Sequence, residues 1–256
     1  MLMRRTRAHA CSVNDQSLGR LLLLHLLPGA LAVALFVLIA DPIQRAGFPP
    51  LLAFLVAVAV VLVPLELLII VRAGRKEGAG AGPLAAVRFR TPMSRRDWLT
   101  LLPALLVAAI VGFGALSLLD QPIRDALFGW LPDWFLELVD TDAIDDYSAG
   151  AWILTLIGYF ALNVFIGPVV EELYFRGYLL PRMSAMGRWA PLVNTVLFSL
   201  YHFWTPWAFL SRVAGVAPFA YGVWWKRNVR LGMAVHIGLN LIGTASLAAY
   251  VLGNLP

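Results

Sequence analysis

Gly167 to Met183 reads GPVVEELYFRGYLLPRM. Two adjacent carboxylates, Glu171 and Glu172, close an apolar run, and Arg176 stands four residues after the second. The 256-residue chain is 60% hydrophobic and only 14% charged, so neighbouring acids at that position need an explanation. On a helix, residues four apart share a face, whereas neighbours diverge by about 100°. The spacing therefore pairs Glu172 with Arg176 as an orienting ion pair and leaves Glu171 without a local cation. A carboxylate so placed beside lipid suits a general base. Taken alone, the two acids fit equally well a helix end that faces water.

Working outward, a mean hydropathy of +0.77 puts the chain in the membrane class. The reading is an all-α, polytopic membrane helical bundle. A formal net charge of +5 does not point to nucleic acid, because the basic residues fall in short connections between apolar runs and not on one face. The single cysteine, Cys11, has no intramolecular partner. Arginines followed by an apolar run resemble a signal peptide. Ala30 and Ala32, however, lie in the middle of that run, so it is read as a retained helix.

A spanning helix needs about 20 apolar residues. Residues 21–40, 51–71, 99–119, 149 to about 180, 190–204, 207–225 and 231–252 supply about seven such stretches. Three units follow: a tail over 1–20, N-terminal helices and loops over 21–148, and a core over 149–256. Between the second and third stretches, Gly74, Gly78, Gly80 and Gly82 predict a flexible polar loop. After the third comes an acidic connection from Asp120 to Asp146, whose acids include Glu137, Asp140 and Asp142 and whose Trp130 and Trp134 read as interfacial.

Basic residues alternate between loops in the way membrane topology requires. The tail holds Arg4, Arg5 and Arg7, the glycine-rich loop Arg75, Lys76 and Arg88, the connection after the fourth stretch Arg182 and Arg188, and the one after the sixth Lys226, Arg227 and Arg230; of the loops between these, one holds only Arg45, one only Arg124 and one none. This places the N-terminus in the cytoplasm. Arg212 falls inside the sixth stretch and is expected to pair within the bundle or to snorkel.

Of the four histidines, His9 is in the tail and His25 is alone in the first stretch, where a structural role is expected. His202 follows Phe198 by four residues, and His236 precedes Asn240 by four. That second spacing puts imidazole and amide on one helix face, where both could address a carbonyl oxygen. Each such group is costly in lipid, so two acids, two histidines and an asparagine on three apolar segments ask for a common purpose.

EELYFR, FSLYH and HIGLN, in that order, resemble the EExxxR, FxxxH and HxxxN signature of the CAAX prenyl endopeptidase and bacteriocin-processing family of intramembrane proteases, also called CPBP or Abi proteins. The likeness covers roughly residues 149–252. It implies that Glu171 and His202 activate the attacking water, and that His236 and Asn240 steady the oxyanion. It further implies that Glu172 and Arg176 form the supporting acid and its counter-ion, and that Phe198 packs behind His202. If the reaction uses a divalent metal such as zinc, Glu171, His202 and His236 are the ligands; a metal-free glutamate and histidine mechanism fits the same letters. The partners implied are membrane lipids and a membrane-associated protein or peptide substrate, with no nucleic acid. Arg greatly outnumbers Lys, which suits a bacterial plasma membrane. Two other readings stand beside the endopeptidase: an ion- or proton-coupled transporter, and a non-catalytic immunity or partner protein that keeps the fold.

Overall fold

The computed structural model describes residues 17–77, 82–136 and 144–255. Arg4, Arg5, Arg7, His9, Cys11, Gly78, Gly80, Glu137, Asp140 and Asp142 lie outside the described residues. The principal helices are α1 (Leu18–Arg45), α2 (Pro50–Arg75), α3 (Arg95–Ser117), α4 (residues 149–179), α5 (Ala190–Tyr201), α6 (Phe209–Lys226) and α7 (Val229–Gly253). Among the described residues the only strand-like pairing is an isolated antiparallel bridge between Arg90 and Asn228.

Local chemistry starts these helices where they start. Ser17, Ser94, Ser148 and Asn228 each accept a hydrogen bond from a backbone N–H in the first turn of α1, α3, α4 and α7. Each cap satisfies a donor that has no partner within the helix. Pro49 and Pro50 open α2, where a missing N–H costs nothing.

Two prolines also shape helix interiors. Pro64 and Pro168 each follow a stretch of wider π turns, Val58–Leu62 in α2 and Phe160–Ile166 in α4. Proline cannot donate to the carbonyl four residues back and its ring presses on it, so the preceding turn opens. Beyond Gly167–Glu171, α4 continues through Leu179 in π geometry, which places both acids well inside it.

The helical course then turns back through Leu180–Trp189, with non-helical backbone at Met183 and at Gly187, whose φ of +52° favours glycine. Among the described residues, five helical stretches are long and apolar enough to cross a membrane; residues 149–201 form one of them and contain this reversal.

α3 packs along α6, α1 along α2 and α5, and α7 against α3, α6 and the middle of α4. The first of these contacts is close. A Cβ on Gly112 would meet Ala214 O at 2.5 Å, and one on Gly215 would meet the ring of Phe113. α3 presents Leu99, Val107 and Val111 outward, and its apolar window is only 6% buried. An apolar surface of that extent belongs against lipid.

In the connection between α2 and α3, residues 82–94 differ from the flexible loop expected. Ala86 and Val87 are buried in the main core. Arg88 N–H donates to Gly177 O at 2.7 Å, Val229 N–H to Phe89 O at 2.8 Å, and Thr91 N–H to Arg227 O at 2.9 Å. Arg182 adds bonds to Ala86 O and Tyr178 O. Residues 82–94 are therefore fixed across one end of the bundle, because their backbone groups find partners there. In the acidic connection, Trp134 packs edge-on against Phe36 while Trp130 is exposed.

Candidate active site

A cavity of about 340 Å³ is lined by Glu171 from α4, His202 after α5, Arg212 from α6, and His236 and Asn240 from α7. Asn163, on the π stretch of α4, also faces it, and Leu55, Val58, Phe113 and Val216 make much of its apolar wall. Glu172 and Arg176 lie behind this lining.

The support begins with Glu172 and Arg176, both wholly buried. Arg176 Nη1 is 3.2 Å from Glu172 Oε1, and the guanidinium lies over the ring of Phe198 at 4.1 Å. Glu172 Oε2 and the Arg176 nitrogens have no aligned hydrogen bond, so the contact is ionic and the aromatic face takes part of the donors' place. Phe198 also lies 4.6 Å, centroid to centroid, from His202.

His236 joins the two acids that the helix-face argument separates. Its Nδ1 is 3.2 Å from Glu172 Oε1 and its Nε2 is 3.8 Å from Glu171 Oε2. Divergence by about one residue's rotation holds for the side-chain roots, but a ring with two nitrogens can span both carboxylates.

His202 does not sit within a helix. α5 ends at Tyr201, and His202 has φ −80° and ψ 60°, with Phe203 N–H donating to Tyr201 O at 2.9 Å. These values define an inverse γ-turn, which swings the imidazole off the helix axis. His202 Nδ1 is 2.7 Å from Phe198 O. Donation to that carbonyl leaves Nε2 as the acceptor. Asn240 Nδ2 donates to Asn163 O at 2.7 Å, which uses one of its two amide hydrogens. Arg212 donates to Thr205 Oγ1 at 2.6 Å and lines the cavity, so it is held inside the bundle.

Three polar groups escaped the sequence reading. Glu66 and Tyr201 are wholly buried, and Tyr201 Oη lies 3.0 Å from Glu66 Oε1 and 3.1 Å from Glu171 Oε1. Asn163 donates to Thr244 Oγ1 at 3.1 Å. A signal for Glu66 was present, since it is an acid within VPLELLII. Nothing in the letters marks Tyr201 apart from its place before His202. His25 matches its expected structural part: its Nδ1 faces Leu21 O at 2.9 Å and its Nε2 accepts from Asn194 Nδ2 at 3.1 Å.

Among the described residues, no three His, Cys, Asp or Glu side chains are gathered closely enough to hold a metal ion. His236 is engaged by the two glutamates and does not share a coordination point with Glu171 and His202. The arrangement does not fit the ligand set Glu171, His202 and His236, and no step below uses a metal.

Gly232, one turn before His236, makes room for the buried acid. A Cβ there would meet Glu172 Oε2 at 2.4 Å and Val223 Cγ2 at 2.8 Å. Gly232→Ala is expected to push Glu172 out of its contacts and to cost about 1–3 kcal/mol. Gly243 on the same helix has open space around a Cβ. Thermal unfolding of the detergent-purified variants should show a clear loss for Gly232→Ala and little change for Gly243→Ala; equal values would contradict this packing.

Fold and site together define the class: a multi-pass α-helical membrane protein with acids, histidines and an asparagine gathered on a buried cavity. Residues 153–242 match the family model described as type II CAAX prenyl endopeptidase Rce1-like. The chain is also 27% identical over 176 residues to NADH-quinone oxidoreductase subunit N of Desulforudis audaxviator (strain MP104C), covering 65% of this chain and 31% of that one. It thus spans about a third of the length of that curated relative. No solved structure matches significantly.

Proposed function

We propose that the protein is an intramembrane endopeptidase acting on membrane-associated protein or peptide substrates in a bacterial plasma membrane. The observation that carries this reading is the convergence of Glu171, His202, His236 and Asn240 on one cavity within the segment that matches the CAAX endopeptidases. Glu171 takes a proton from a water held between its carboxylate and His202 Nε2, and that water attacks the peptide carbonyl. The carbonyl oxygen becomes an oxyanion. Asn240 offers it the amide hydrogen not given to Asn163, and His236, carrying a hydrogen on both ring nitrogens, offers Nε2–H while Nδ1–H donates to Glu172. Glu171 then returns the proton to the departing amine, and the bond breaks. With the N-terminus cytoplasmic, the Arg-rich end of the bundle faces the cytoplasm and substrate enters from that leaflet.

The experiment compares wild type with His202→Ala in detergent, using candidate membrane-protein substrates and termini identified by mass spectrometry. A fall in turnover of roughly 10²–10⁴-fold is expected, as for loss of a group that handles the reacting proton. Full activity in His202→Ala would sink the assignment.

One observation favours a second reading. Glu66, Tyr201, Glu171, His236 and Glu172 form a buried polar chain. A proton-coupled carrier would use such a chain. Proton flux in liposomes that needs Glu171, without peptide cleavage, would select it.

A further inference from the structure

Glu171 is held by more than the three motifs. The hydroxyl of Tyr201 lies within hydrogen-bond distance of both Glu171 Oε1 and Glu66 Oε1. Glu66 comes from α2, outside the residues that match the family model. Its Oε2 has no hydrogen-bond partner, and no basic nitrogen is in ion-pair contact with it among the described residues.

Counting hydrogens decides what this contact is. A tyrosine hydroxyl carries one hydrogen and can give it to only one of the two carboxyl oxygens. The second bond needs a hydrogen supplied by a carboxyl group. An ionised carboxylate in an apolar core with one hydrogen bond and no cation is costly. Glu171 has His236 and the cavity beside it, whereas Glu66 has neither. Glu66 is therefore the group that keeps the proton.

We propose that Glu66 is a positioning residue for Glu171, acting through Tyr201. The carboxyl of Glu66 donates to Tyr201 Oη, and Tyr201 O–H donates to Glu171 Oε1. This fixes the Glu171 carboxylate with Oε2 toward His236. Both protons of the chain stay in place during turnover; the proton that moves comes from the attacking water. The meaning of this support for catalysis rests on the endopeptidase reading. The consequence is that α2 completes the site, so the N-terminal helices are part of the machinery.

Tyr201→Phe keeps the ring against Phe175 and Trp204 and removes only the hydroxyl. It is expected to lower kcat roughly 10- to 100-fold with KM unchanged. Glu66→Leu should do the same. Glu66→Gln should recover most of that loss, because its amide N–H can donate to Tyr201 Oη as the protonated carboxyl does. The double variant Tyr201→Phe with Glu66→Leu should be no slower than the poorer single one. An infrared difference spectrum of wild type against Glu66→Gln should show a lost carboxylic-acid carbonyl band, displaced in Tyr201→Phe. That spectrum needs no turnover, so an inactive wild type that shows the band would refute the endopeptidase and spare the network. Full kcat in Tyr201→Phe, Glu66→Gln as poor as Glu66→Leu, losses that multiply, or no lost band would each overturn the proposal. Should Glu66→Leu fail to fold, Tyr201→Phe and the band decide alone.

Discussion

Glu171→Gln is expected to give a folded protein whose peptide-bond hydrolysis falls by roughly 10²–10⁴-fold, the contribution typical of a general base. Glutamine has the same shape and can still accept from Tyr201 O–H, so the packing of α4 against α5 and α7 survives. What it cannot do is take a proton from water. Glu172→Gln should behave differently. That side chain is wholly buried, pairs with Arg176 and anchors His236 Nδ1, so its loss should lower thermal stability and activity together. Unfolding temperature and single-turnover cleavage, measured on both variants in one detergent, separate the two patterns. If both lose stability alike, the division between a reacting acid and a supporting one is wrong.

The largest effect on stability is expected at Arg176. Arg176→Leu strips the counter-ion from Glu172, leaving a buried carboxylate with one remaining polar neighbour, His236, and should cost roughly 3–5 kcal/mol. The guanidinium also lies over Phe198 and near Phe219, and leucine fills only part of that space. The companion variant Glu172→Leu with Arg176→Leu removes both charges, and most of the stability should return because no unpaired ion is left. Thermal unfolding of the single and double variants checks this directly. A single variant as stable as wild type would show that the pair contributes nothing to the fold.

Much of this architecture was legible in the chain itself. Apolar runs of spanning length gave helices close to where the runs fall, and Ser17, Ser94, Ser148 and Asn228 set several of their starts. Spacing by four brought Glu172 to Arg176, because that contact lies within one helix. The ends of segments were harder. His202 left its helix in a tight turn, and residues 82–94 settled on the bundle although the glycines that lead into them read as a flexible loop. Both outcomes depend on partners contributed by distant parts of the chain.

The sequence alone therefore determined the class of fold, the helical segments and the local ion pair, since hydropathy and helical periodicity act between near neighbours. Only the tertiary structure decided which polar groups meet. It set His236 across two acids that helix geometry had separated, packed Glu172 so close to Gly232 that no Cβ fits there, and carried Glu66 from α2 to the hydroxyl that also holds Glu171. The physical reason is that a buried polar group must find its partner through space, and helix packing chooses that partner without regard to distance along the chain.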